Sequence, residues 1–425
     1  MESKLTNKNR LWFAFFSFLL AWSACAYMFI FSLMGDGQLF AREVNGRPTV
    51  LDYLLFYEDA TLALHAKDQK TNIYDPQIQF EGLKKLMAPV VPEAEFYSHY
   101  PPPLFVFVIP FGLFPLNWSY TIWNLLGLAL TLVGILPTVR KAYKEPFPII
   151  LAAAAIIGSF PTWLCFELGQ SSFYLTAGLT LFFWLLRNEK YFWAGVSISG
   201  LMIKLQYLPF AGVVGLVLGR TKFVAGCVVG LLLAAGICVL TLGWENCIEY
   251  PNVLLHGETS NNNLFLIAPE QMQNIRGMLN LFVGDLAVVR TIAAALCLVA
   301  LVVVAYLWTK PYRTLKQVTP NAFNIMLAVS LMLALLFSVH THTQDYCLFI
   351  WACVLCYVSI PDTKSGDSKM LRGLILAFPI VSWIMFGLKP VTMNMLHIQS
   401  FALYLIAVLF FATKVLLLPA FRKAD

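Results

Sequence analysis

Stretches of roughly twenty mostly apolar residues, the length that crosses a bilayer as a helix, recur throughout this 425-residue chain. Hydrocarbon offers no water to exposed backbone N–H and C=O groups. Such segments are read as helices that satisfy their own backbone. Composition agrees: 12% of residues are charged, against about 25% in a soluble domain. The sequence therefore reads as all-α, one transmembrane bundle over residues 1–425 with about eleven to thirteen spans.

The net charge of +6 lies in short basic clusters between apolar runs. That pattern orients helices in a membrane, so no nucleic-acid partner is expected. Lys4, Lys8 and Arg10 place the N-terminus in the cytoplasm, ahead of a first span over about residues 11–34. Ala24-Cys25-Ala26 has the look of a signal-peptide cleavage site, but the apolar run continues beyond it, so the span reads as uncleaved. Clusters at Arg187–Lys190, Arg220–Lys222, Lys310–Lys316, Lys364–Arg372 and Arg422–Lys423 mark later cytoplasmic turns. The segment at about 35–101, Gln170, Lys204, the loop at about 243–288, residues 339–345 and Lys389 then fall together on the non-cytoplasmic side. Three apolar runs, near 102–115, 118–138 and 147–168, separate the first outer loop from Gln170, where an even number of crossings is required. Either one of the first two is re-entrant, or Ser159-Phe160-Pro161 breaks the third. The nine cysteines are scattered, and no C-x-x-C pair has a matching second pair, so neither a disulfide framework nor a zinc site is expected.

The first outer loop is expected to be partly helical. Leu51 to Ala66 has helical apolar spacing, and Tyr74-Asp75-Pro76 marks a turn before a helix near 77–87. Asp52 opens the first of these segments among aromatic residues. Its local chemistry favours a helix cap, with a general base whose proton affinity rises with partial burial as the other reading. Glu58 and Asp59, two turns on, read as solvated. Tyr100-Pro101-Pro102-Pro103, after His99, marks a rigid return to the membrane. Gln170-Ser171-Ser172 opens an apolar helix and suits either a cap or a sugar contact.

Lys204 stands in an apolar stretch with no charged neighbour in sequence. It either snorkels to the interface or meets an anionic lipid phosphate. Arg276 in the second large loop, followed one turn later by Asn280, offers another cation. Ser338 to Tyr346 is a polar island between two apolar spans, holding His340, His342 and Asp345. Each histidine can donate to a phosphate and change charge near neutral pH. A metal site needs three or four ligands, and Asp345 is the one further candidate nearby, so no metal is expected.

Taken in order, five stretches resemble the GT-C membrane glycosyltransferases, and family 87 in particular. They are Asp52–Tyr57 with Ala60 and Asn72–Pro76, Tyr100-Pro101-Pro102, Gly169-Gln170, Lys204-Leu205-Gln206, and Ser338–Asp345. The resemblance implies an inverting hexosyl transfer from a polyprenyl-phosphate sugar, mannose above all, to a glycolipid or glycan acceptor, with no further cofactor. It implies that Asp52 is the general base, and that His340 or His342, or else Asp345, is the polar partner near the donor phosphate or acceptor. Tyr100, Gln170, Lys204 and Arg276 would then line the substrate site. Val339 departs from the family pattern, which often has proline after that serine. The competing class, a transporter or lipid flippase, predicts internal repeats and paired broken helices at mid-membrane, and no clear repeat is found.

Overall fold

Pro76, Pro102, Pro146 and Pro161 each sit in a first helical turn, where a missing N–H costs nothing and the fixed φ suits the helix. Much of the helix punctuation is therefore written by proline. In the computed structural model, the described residues are 51–88, 97–257, 269–284, 286–361, 363 and 365–422, with isolated positions before residue 51. The expected first span over 11–34 lies outside them, apart from a few helical positions at 16–23. Glu43–Val44 pairs antiparallel with Arg47–Pro48, and the rest of the described regular structure is helical.

Helix α1 (Leu51–Gln69) and α2 (Pro76–Met87) form the expected pair. Asp75 caps α2, its carboxylate accepting from the Gln77 and Ile78 amides. Helix α3 (Pro102–Gly112) is too short to cross a bilayer, at about 16 Å. It lies along α1, with Gly112 against Ala60 and Phe105 among Ala63, Ala66 and Tyr74. A long α4 (Leu116–Ala142) follows, then α5 (Pro146–Ile157) and α6 (Phe160–Leu168), which meet at a 53° bend. Pro161 has no N–H to carry α5 onward, and the Phe160 amide donates to Ser382 Oγ instead.

The crossing problem thus has a two-part answer. Helix α3 stays at one end of the bundle, α4 crosses away from that end, and the broken α5–α6 pair returns to it. Tyr53 bonds Ser119 near the start of α4, and Tyr120 bonds the Phe166 carbonyl near the end of α6.

The chain continues through α7 (Ser172–Arg187) and α8 (Tyr191–Ser197), which passes into a 3-10 stretch ending at Ile203. Helix α9 (Leu208–Leu242) is broken at Arg220, whose φ of 44° is non-helical, so it passes down and back as two arms. Then come α10 (Trp244–Gly257), α11 (Ile275–Val283), α12 (Ala287–Leu307), α13 (Lys310–Val318) and α14 (Ala322–Phe337). Last are α15 (Cys347–Tyr357), α16 (Gly366–Gly387), α17 (Lys389–Asn394), α18 (Ser400–Ala412) and a short α19 (Leu418–Arg422).

Among the described residues, five helical stretches are long and apolar enough to cross a membrane, six if the bent α5–α6 pair is one span, against the eleven to thirteen expected; the difference lies in short and broken apolar helices that fall below the spanning length. Shorter apolar helices run between the same two ends. Helix α14 starts beside Arg187, where Asn324 accepts from that guanidinium, and it finishes at the polar island. Helix α15 leads back, and the Val358 carbonyl beyond it accepts from Asn321. Exposed apolar side chains such as Leu232, Leu240, Val302 and Tyr306 face outward from the longer helices. A surface of that kind belongs in lipid.

Candidate active site

One end of the bundle gathers the polar residues. Its floor is set by the break between Ile203 and Leu208, where Lys204 has extended backbone (φ −139°, ψ 90°) between two 3-10 turns. Released from the helix, the Lys204 side chain reaches Asp345 Oδ1 at 2.5 Å and Ser172 Oγ at 2.8 Å. Ser172 Oγ in turn donates to Asp345 Oδ1 at 2.7 Å. The solitary cation of the sequence is therefore an ion-paired one, its partner 141 positions away. Burial alone would raise Asp345, but Lys204 overrides it and holds the carboxylate below its ordinary range. Asp345 Oδ2 also accepts from the His342 amide and so shapes the island.

The second acid, Asp52, lies in the first turn of α1, where the helix dipole favours a carboxylate. Its Oδ2 accepts from Gln170 Nε2 at 2.5 Å. That contact spans 118 residues and gives the carboxylate a partner beyond local capping. Gln170 is presented by Gly169, the αL cap of α6 (φ 65°), whose carbonyl accepts from Trp123. Burial raises the Asp52 pKa above the ordinary carboxylate value, against the Gln170 hydrogen bond and the charge of Lys204. The Tyr100 hydroxyl lies beside Gln170 with Asp52 and Asp345 among the nearest charges, and its ring packs between Phe56 and His99.

The histidines stand edge to face, with ring centroids 4.4 Å apart. His340 is held well below the usual imidazole pKa by burial first, then by His342, His99, Lys204 and Arg276. His342 is lowered to about 4 by burial, with Asp345 opposing. The expected charge change near neutral pH is thus corrected: both rings are neutral there and act as hydrogen-bonding groups.

Arg276 is 5% exposed and donates to the Val339 carbonyl. Asn274 caps α11 at the Gly277 amide and also holds the Ser338 carbonyl. The Gln273 amide donates to the Thr341 carbonyl. The second large loop thereby grips the island at three successive points. No local motif marks Gln273 or Asn274 as part of a site; the one signal is the cluster of Gln271, Gln273 and Asn274 before an apolar helix.

All the expected site residues therefore belong to one neighbourhood. Asp52, Gln170 and Tyr100 form one group, Lys204, Ser172 and Asp345 a second, and Arg276 with the two histidines a third. Glu58 and Asp59 are a correction: they are 2% and 1% exposed, not solvated. Among the described residues, no group of three or more His, Cys, Asp or Glu side chains is placed to hold a metal ion.

A buried ion pair, an acid with raised proton affinity and neutral imidazoles at a bundle end are equipped to move a proton and stabilise a departing anion. Comparison with known proteins gives this chemistry a class. No curated protein and no solved structure matches the chain. The family model for Glycosyltransferase family 87 matches residues 98–339, more than half of the sequence, starting beside Tyr100 and stopping one residue short of His340. The chain belongs to glycosyltransferase family 87 and is a membrane glycosyltransferase.

Proposed function

We propose that the chain transfers a sugar, mannose in the first instance, from a polyprenyl-phosphate donor to a glycolipid or glycan hydroxyl on the non-cytoplasmic face. The observation that carries this reading is the Asp52 carboxylate held by Gln170 at the same end as the Lys204–Asp345 pair and the two histidines.

In this mechanism Asp52 is the general base. It takes the acceptor hydroxyl proton as that oxygen bonds to the anomeric carbon, while the bond from that carbon to the phosphate oxygen breaks. Attack from the face opposite the leaving group inverts the anomeric centre. The polyprenyl phosphate departs with the electron pair, and its growing charge is met by the donors around it. An ammonium has three protons, of which Asp345 and Ser172 take two in Lys204. The third is assigned to the phosphate, together with Arg276 and one neutral histidine, while Tyr100 and Gln170 orient the sugar. The whole chain works as a single catalytic unit in this reading.

The test is transfer from synthetic polyprenyl-phosphate-mannose by purified protein, with glucose and arabinofuranose donors in parallel. Asp52→Asn is expected to lose at least about a hundredfold in rate with its thermal midpoint unchanged. Unaltered transfer by that variant overturns the assignment of the base. A glucose or arabinofuranose donor outperforming mannose replaces the sugar and leaves the mechanism standing.

A further inference from the structure

From the bundle end remote from Asp52, a partly open groove of about 910 Å³ between α4, α7 and the 3-10 stretch after α8 runs inward to Tyr174 and to Ile203, next to Lys204. Its walls are mostly apolar, and Gly200 faces open space there. Two charged residues line it, Lys141 and Arg187, both basic. Each lies at the last turn of its helix, α4 and α7, at the bundle end remote from Asp52. At that end the Arg187 guanidinium donates to Asn324 at 2.8 Å and sits over the Phe323 ring at 5.7 Å, so its position is fixed. Lys190 adds a third cation at the rim, 5.1 Å over Trp184. The other end of the groove, at Phe107 and Tyr174, carries no charge.

We propose that this groove is a binding site for an anionic phospholipid of the leaflet facing away from the active site. Its phosphate meets Lys141 and Arg187, and one acyl chain rises along the groove towards Tyr174. The placement of charge decides the orientation. A lipid in the reverse orientation would leave both of these cations unmatched. Basic pockets between transmembrane helices bind anionic lipid headgroups by this combination of fixed cations and apolar walls. Arg187 presents five donors and Asn324 occupies one that is seen, so a phosphate oxygen finds further N–H groups there. This site needs no assumption about the reaction.

Native mass spectrometry of the purified full chain, with phosphatidylglycerol and phosphatidylcholine supplied in turn, tests it. The native protein is expected to retain phosphatidylglycerol preferentially. Lys141→Ala is expected to weaken that retention by about fivefold, and Lys141→Ala with Arg187→Ala by the square of that factor. Should loss of the Arg187–Asn324 bond prevent folding, two variants carry the test: Lys141→Ala, at an exposed position, and Gly200→Leu, which obstructs the groove. A Cβ on Gly200 meets nothing within 4 Å, so Gly200→Leu is expected to fold and to lose bound lipid of either kind. Equal retention of the two lipids by the native chain overturns the proposal, as does native-like retention of phosphatidylglycerol in folded Lys141→Ala and Gly200→Leu variants.

Discussion

Lys204 and Asp345 are 7% and 1% exposed, so neither charge is served by water. Each is tolerated because the other is there. Removing one partner of such a pair leaves an uncompensated buried charge and costs about 3–5 kcal/mol, whereas removing both is far milder. Lys204→Met alone is therefore expected to lower the thermal midpoint in detergent markedly, and Lys204→Met with Asp345→Leu to recover most of the loss. Single variants that melt like the native protein would show that the pair does not support the fold. The sequence displayed both residues as oddities, a cation in an apolar run and an acid in a polar island. Their pairing was not legible, because no local pattern links positions 141 residues apart. The burial of Glu58 and Asp59 escaped for the same reason. Glu58 lies against Gly82 and Asp59 accepts from Ser98, and both contacts exist only once distant segments have packed.

Elements were read more faithfully than contacts, since apolar period, proline and capping residues are local. The expected helices over 51–66 and 77–87 match α1 and α2 closely. The Ser159-Phe160-Pro161 break and the turn at Arg220 are where proline and basic residues place them. Helix α3 was ambiguous because its apolar content alone does not distinguish a short span from a helix lying on α1. The junction of α6 and α7 is the element most tightly tied to the site. Gly169 has a left-handed φ of 65°, and a Cβ there would come within 2.5 Å of the Tyr53 Cβ. Gly169→Ala is expected to cost about 1–2 kcal/mol in backbone strain and to shift Gln170 off Asp52. Transfer should then fall by about a hundredfold. Gly373→Ala, where a Cβ meets nothing within 4 Å, is the control expected to behave like the native chain. Equal activity of the two variants would detach the Gly169 turn from catalysis.

At the scale of the whole molecule, the residues from the first loop, Gln170, Lys204, the second loop and the island share one end, and Arg187, Asn324 and Val358 share the other. This two-ended arrangement was legible from the basic clusters before any contact was known. It predicts that single cysteines at the exposed positions Asn188 and His397, in a background without the native cysteines, react with an impermeant maleimide from opposite sides of a sealed vesicle. Labelling of both from the same side would overturn the assignment of the two ends.

The carboxyl of Glu58, wedged between α1 and α2, carries a consequence of another kind. Burial, with Asp59 adding to it, pushes its ionisation up to about 9 from an ordinary 4.5. The packed segment therefore holds a proton at neutral pH that the unfolded chain gives away. Closing α2 onto α1 is a proton-consuming step. The stability this group lends is complete below about pH 4.5 and drains away as the pH climbs towards 9, so the segment that presents Asp52 is held most firmly in acid.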